Sequence, residues 1–122
     1  MQVMEIKRVV PNITTNLMDA SVEFYTAFLG FRVAMDMEWI VTLSSPTSPT
    51  AQISLIRGEP ASSRANDITL SIEVDDVDRL YAVAESRKYV IPYPVTNEPW
   101  GVRRFHVNDP NGVTLNIMCH IG

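Results

Sequence analysis

The sequence predicts an α+β protein made of two βαβββ modules, and three patterns predict it. First, the chain repeats its own plan: sliding it by about 59 residues sets Met18 on Val77, Asp19 on Asp78, Asn12 on Ser71 and Val10 on Thr69. Residue identity between the halves is poor, but their pattern agrees, as in an internal duplication. Second, a stretch of helical periodicity follows the first strand-like run of each half. Third, the remaining segments alternate apolar and polar residues with the period of a strand half-buried in a sheet. Together these give a curved eight-stranded mixed sheet with two helices covering one face. The boundaries read as residues 1–57 for the first module, 58–67 for a linker and 68–122 for the second, all within one structural domain.

The first module opens with KRVVPNITTN, a strand. LMDASVEFYTAFLGF follows as a helix, with Asp19 near its positive end, where an acid suits the dipole. Ala20, Phe24, Ala27 and Phe28 recur on one side, widened by Val22, Tyr25 and Leu29. Gly30 stands where the chain needs a left-handed residue to leave the helix. FRVAMDM and EWIVTLSS read as strands, and Trp39 shares the parity of Val41 and Leu43, which points it into packing. SPTSPT is a proline-stiffened loop, and AQISLIR is the fourth strand. GEPASSRAND, polar and without apolar periodicity, is the linker.

The second module repeats the plan. DITLSIEV is a strand and DDVDRLYAVAESR a helix with Val77, Leu80, Tyr81 and Ala84 on one side. KYVIPYP is a short strand that its prolines restrict to a sheet edge. VRRFHVN and GVTLNIMCHI make a closing hairpin around Asp109-Pro110-Asn111-Gly112.

Composition narrows the function. The 122 residues carry a net charge of −4, without the basic footprint that nucleic acid requires. No run approaches the ~20 apolar residues of a membrane span, and MQVMEIKRVVPN lacks the apolar core of a secretory signal. The single cysteine, Cys119, cannot form an intrachain disulfide; this fits a reducing, cytoplasmic setting. Glycine-rich phosphate loops, nucleophile elbows and H-E-x-x-H are absent.

Alternation divides each strand between two faces. Ile68, Leu70, Ile72, Val74, Phe105, Val107, Val113, Leu115 and Ile117 belong under the helices. Opposite them stand Asn12, Thr14, Gln52, Ser54, Thr69, Ser71, Glu73, Arg104, His106, Asn108, Thr114 and Asn116. A polar-lined concavity of this kind suits a small molecule; a face that is only solvated fits the alternation equally well.

Three segments carry a resemblance to a known family. NLMDASVEFYTAFLGF, IEVDDVDRLYA and WGVRRFHVNDPNGVTLNI resemble, in that order, the first-helix, second-module and closing-hairpin signatures of the vicinal oxygen chelate superfamily. It includes glyoxalase I, ring-cleaving dioxygenases, fosfomycin-modifying transferases, epimerases and the bleomycin-type resistance proteins. The resemblance implies paired βαβββ modules forming a cup, often completed by a second chain, and a divalent metal held by His and Glu. Carried over by position, those ligands fall at Val10, Thr69, Ser54 or Gln52, and Asn116. None is His, Asp, Glu or Cys, so no metal and no cofactor are expected. The remaining histidines, His106 and His120, stand roughly 13 Å apart along adjacent strands, too far to share an ion.

The expected ligand site is therefore Asn12, Ser71, Glu73, Trp100, Arg104, His106 and Asn116. His106 is the candidate general base; the alternative is a histidine bonded to a neighbour such as Asn116. Trp100 offers a stacking surface or a plug over the core, and Arg104 pairs with an anion or with Glu73. Two uses compete. The first is a metal-independent protein that holds a small aromatic or cationic compound, as bleomycin-type resistance proteins do, and forms a homodimer that closes its sheet edges. The second is an enzyme using a metal or His106 acid/base chemistry. A module that only docks a partner would need neither.

Overall fold

The computed structural model describes residues 4–60 and 68–122; residues 61–67 of the expected linker lie outside the described residues. The chain divides into two compact units, residues 1–60 and 61–122. Each contains one four-stranded mixed sheet.

In the first unit, β1 (Asn12–Thr15), α1 (Met18–Glu23), β2 (Arg32–Asp36), β3 (Ile40–Ser44) and β4 (Gln52–Arg57) follow in order. The sheet runs β1-β4-β3-β2, with β1 parallel to β4 and the other pairs antiparallel. In the second, β5 (Thr69–Glu73), α2 (Val77–Ser86), β6 (Tyr93–Glu98), β7 (Val102–Asn108) and β8 (Thr114–His120) repeat that plan as β5-β8-β7-β6. The helices begin at Met18 and Val77, the pair that the repeat aligns. The strand registers agree as well: Asn12 faces Ser54 on the parallel pair of the first unit, as Ser71 faces Asn116 in the second.

Helix α1 is entered through side-chain hydroxyls. Thr15 Oγ1 accepts from the Leu17 amide at 2.9 Å and meets Ser21 Oγ at 3.1 Å. Both residues are fully buried, so each hydroxyl removes the cost of burying the other. Beyond Glu23 the helix widens into a π-helical turn over Phe24–Phe28. This corrects the expected face. Met18, Ser21, Phe24, Tyr25 and Phe28 are buried, whereas Ala20 and Ala27 are exposed. The wider turn puts the adjacent Phe24 and Tyr25 both inward, edge to face at 5.2 Å between centroids, an arrangement that stabilises aromatic pairs. Gly30 ends the segment at φ +85°, as expected.

Helix α2 has an acid cap: the Asp76 carboxylate accepts from the Arg79 amide at 3.0 Å. One N-terminal amide is thereby satisfied. Val77 and Ala84 are buried, and Tyr81 packs edge to face on Phe105 of β7 at 5.1 Å. Arg103, on the same face of the sheet, forks onto Asp78 at 2.6–3.2 Å. The hydrogen bonds from Arg103 hold the Asp78 carboxyl below its ordinary pKa, and Asp78 in turn raises that of Arg103.

Two expectations change. The proline-broken strand starts later than KYVIPYP implies: β6 runs Tyr93–Glu98, with its pairing to β7 interrupted between Tyr93 and Thr96 around Pro94. It lies at a sheet edge, where proline costs no ladder bond. Trp39, placed by parity in the packing, is 57% exposed. It precedes β3, and the reversal at Glu38 (φ +66°) breaks the alternation on which that reading relied.

The closing turn is built by Asp109, which is buried. Its Oδ1 accepts from the Asn111 and Val113 amides at 2.8 and 2.9 Å, and its carbonyl accepts from Gly112 at 3.0 Å. Gly112 has φ +84°, a conformation in which a Cβ meets the neighbouring carbonyl. Gly112→Ala should cost about 1–2 kcal/mol. A urea midpoint unchanged from the parent would mean that the turn adapts instead.

Candidate functional site

The register of the second sheet puts the candidate residues in two rows on the face opposite α2. One row runs Ser71, Asn116, His106 and Tyr93 across the four strands; the next runs Glu73, Met118, Arg104 and Thr96. Adjacent members of a row project from the same face. The face away from the helix is thus polar and aromatic, while Phe105, Val107, Leu115 and Ile117 on the helix side are fully buried.

The centre of this face is Arg104. Its Nε donates to Glu98 Oε2 at 2.7 Å, and the Glu98 side chain is only 8% exposed. Tyr93 donates its hydroxyl to the same carboxylate, 3.1 Å from Oε2. The guanidinium carbon lies over the Tyr93 ring and over the Trp100 ring, 5.3 Å from each centroid. Such contacts attract a cation to the electron-rich faces of the rings. His106 packs against the other part of this cluster, its ring 5.1 Å from that of Tyr93.

The expected Arg104–Glu73 pair is therefore not formed. Arg104 takes Glu98, and Glu73 takes His120 Nδ1 at 3.0 Å, with both of those side chains largely exposed. Glu98 sits next to the turn that joins β6 to β7, so it is the nearer acid; Glu73 is two strands away, about 10 Å. The expected His106–Asn116 bond is also absent. Asn116 Nδ2 donates to Ser71 Oγ at 3.1 Å, and its buried Oδ1 has no hydrogen-bond partner among the described residues. Asn12 belongs to the other unit, exposed, opposite Ser54. There Thr42 Oγ1 and Ser54 Oγ satisfy one another at 2.9 Å.

Tyr93 and Glu98 are the members that sequence reasoning missed. Proline at 92, 94 and 99 hides the alternation of YPVTNEPW. The nearest sequence signal was the polar-apolar spacing of Tyr93, Thr96 and Glu98 around a turn.

His106 is partly buried, and burial lowers its pKa from the ordinary 6.5. The positive Arg104 pushes the same way, and Glu98 opposes both. Its ring is therefore neutral at pH 7. With a folded-state value below the unfolded one, stability is complete above about pH 6.5. It falls as acid protonates the unfolded chain first, until the pH reaches the lowered folded-state value. His106→Gln should flatten the urea-unfolding stability profile as the pH falls below about 6.5. A variant that loses stability with the parental slope would assign the dependence to other groups.

The positions at which the resemblance expects a metal do not fit one. Val10 has no donor atom. Thr69, Ser54 and Asn116 offer neutral oxygens, whereas divalent ions in such sites are held by carboxylates, imidazoles or thiolates. The registers identify Ser54, rather than Gln52, as the counterpart of Asn116. Gln52 is engaged with Arg8 and with the Pro49 carbonyl. Among the described residues no three His, Cys, Asp or Glu side chains converge.

Two βαβββ units with equivalent registers, one of them carrying a polar aromatic face opposite its helix, define a duplicated α+β fold. The chain belongs to the Glyoxalase/Bleomycin resistance protein/Dioxygenase superfamily, whose family model matches residues 5–117. Solved structures of the same fold include TioX from Micromonospora sp. ML1 (TM-score 0.78, 21% identity, covering 94% of this chain and 99% of that one). A superfamily member from Sphaerobacter thermophilus has TM-score 0.78 and 21% identity, covering 97% and 100%. A bleomycin resistance determinant encoded on transposon Tn5 has TM-score 0.73 and 17% identity, covering 94% and 98%. Among curated proteins none matches significantly by sequence.

Proposed function

We propose that this protein binds a small organic molecule without a metal, on the polar face of its second sheet, in the manner of the bleomycin-type resistance proteins. The observation that carries the reading is the substitution of one kind of site for another. Where the family would place metal ligands, this chain has Val10, Thr69, Ser54 and Asn116. On the second sheet, in the rows of Asn116 and Arg104, the side chains of Trp100, Arg104, Tyr93 and His106 assemble into an aromatic surface around a cation. Trp100 is 64% exposed, so a flat ligand can stack on it at once. The likeness of fold to a bleomycin resistance determinant supports sequestration of an antibiotic as the physiological role.

Two calorimetric or thermal-shift experiments test this. Purified protein should keep its stability after exhaustive chelation; a stoichiometric, tightly held transition metal would overturn the metal-free reading. A screen of aromatic natural products, basic glycopeptides and 2-oxo compounds should find a stabilising ligand. At 100 times its Kd such a ligand adds about 2.7 kcal/mol, and Trp100→Ala should remove most of that gain.

One feature favours the enzymatic alternative: burial beside Arg104 lowers the His106 pKa and so favours the neutral imidazole, which is able to accept a proton. Turnover that falls in His106→Ala while ligand affinity is unchanged would assign it that role. A homodimer is the proposed assembly. Edge strand β2 leaves Val33 and Met35 exposed, and Met37 and Trp39 extend that apolar surface; exposed apolar edges are unusual unless partnered. The parent should elute as a dimer and Met35→Lys as a monomer in gel filtration with light scattering. The lone Cys119 suits a reducing cytoplasm. No described helix is long and apolar enough to cross a membrane.

A further inference from the structure

The polar face of the second sheet carries a directional feature that the family resemblance does not predict. A guanidinium has five N–H donors in one plane. In Arg104 the Nε edge is taken by Glu98 at 2.7 Å, and Tyr93 and Trp100 flank the group. Among the described residues, nothing accepts from Nη1 or Nη2. The side chain is 25% exposed, so part of it is open to solvent while Glu98 holds it in place. Two parallel N–H groups on a fixed plane match the two oxygens of a carboxylate.

The surroundings bear on the sign of the ligand charge. Glu98, the acid that would attract a cation, is nearly buried, and both its oxygens are engaged by Tyr93 and Arg104. Glu73 is exposed, paired with His120 and two strands from Arg104, where solvent screens it. His106 is uncharged at pH 7 and lies two residues along β7 from Arg104, about 7 Å. A ring attached to a carboxylate at Arg104 can therefore extend over His106 while its edge meets the Trp100 indole.

We propose that Arg104 is the anion-recognition residue of this face, and that the ligand class is a planar aromatic carboxylate rather than an aromatic cation. This rests on the small-molecule reading given above and narrows it. In the bound state Nη1 and Nη2 of Arg104 donate to the two carboxylate oxygens. Trp100 and His106 contact the aromatic ring. Glu98 and Tyr93 position the guanidinium without touching the ligand.

The test uses three molecules of one shape and different charge: benzoate, benzamide and benzamidine. Each is titrated into the full-length protein while the two indole N–H resonances are followed by NMR; Trp39→Phe assigns the Trp100 peak. Benzoate should shift that peak saturably in the millimolar range, with benzamide about tenfold weaker and benzamidine weaker still. Arg104→Lys keeps a positive charge beside Glu98 but lacks the fork, and should lose about tenfold for benzoate while leaving benzamide unchanged. Arg104→Gln should abolish the difference between the two. Benzamidine binding as tightly as benzoate would overturn the anion assignment and leave small-molecule binding intact. An Arg104→Lys variant that keeps the full benzoate preference would overturn it in the same way. If none of the three moves the Trp100 resonance, the proposal fails at this face, and the natural-product screen decides the broader reading separately.

Discussion

Phe105→Ala is expected to destabilise the protein by about 3–5 kcal/mol, the range for truncating a buried aromatic. Phe105 is completely buried, opposite Ile117 on β8 and edge to face with Tyr81 of α2. Its removal deletes one of the contacts by which the helix packs on the sheet and leaves a cavity. Phe105→Leu retains most of the volume and should lose markedly less. Urea midpoints with unchanged slope measure both losses. The consequence reaches the opposite face, because Arg104 and His106 alternate with Phe105 on β7; a loosened strand misplaces the guanidinium and the imidazole together. A Phe105→Ala loss below about 1 kcal/mol would show that this packing contributes little.

Removing Glu98 is the second large change. Breaking a buried ion pair by deleting one partner costs about 3–5 kcal/mol. Since Arg104 is a quarter exposed and water screens part of its charge, Glu98→Ala should cost roughly 2–3 kcal/mol. The variant leaves Arg104 Nε and the Tyr93 hydroxyl without their acceptor. Glu98→Gln keeps a neutral acceptor and should recover part of the loss. A double-mutant cycle with Arg104→Met separates the pair from its surroundings. A coupling of at least about 1 kcal/mol is expected, because the double variant no longer buries an unmatched charge. A cycle that closes at zero would mean that the two side chains are neighbours without interaction.

Much of this architecture is legible residue by residue. The repeat that sets Met18 on Val77 predicts both helix starts, and alternation in VRRFHVN and GVTLNIMCHI separates Phe105 and Ile117 from His106 and Asn116. Both signals are local: side chains alternate along any strand, and one apolar set must be buried. Asp109-Pro110-Asn111-Gly112 announces its turn because a backbone at φ +84° needs glycine there. Local pattern fails at Phe24–Phe28, where a π-helical turn changes which residues point inward, and at Trp39, where the chain reverses just before β3.

The chemistry of the candidate site divides along the same line. Donor types at Val10, Ser54, Thr69 and Asn116 are a matter of composition at aligned positions. Their poor fit to a metal follows from the sequence without any coordinates. Which acid Arg104 would choose could not be read in that way. Glu73 and Glu98 are both plausible by sign, and only strand order decides between them, since β6 lies beside β7 whereas β5 lies beyond β8. The same tertiary placement brings Tyr93 and Trp100 against the guanidinium and, among the described residues, leaves Asn116 Oδ1 without a donor. Alternation and turn chemistry act between near neighbours and can be read along the chain. Ion pairing and ring stacking act across strands, so their partners exist only once the sheet has formed.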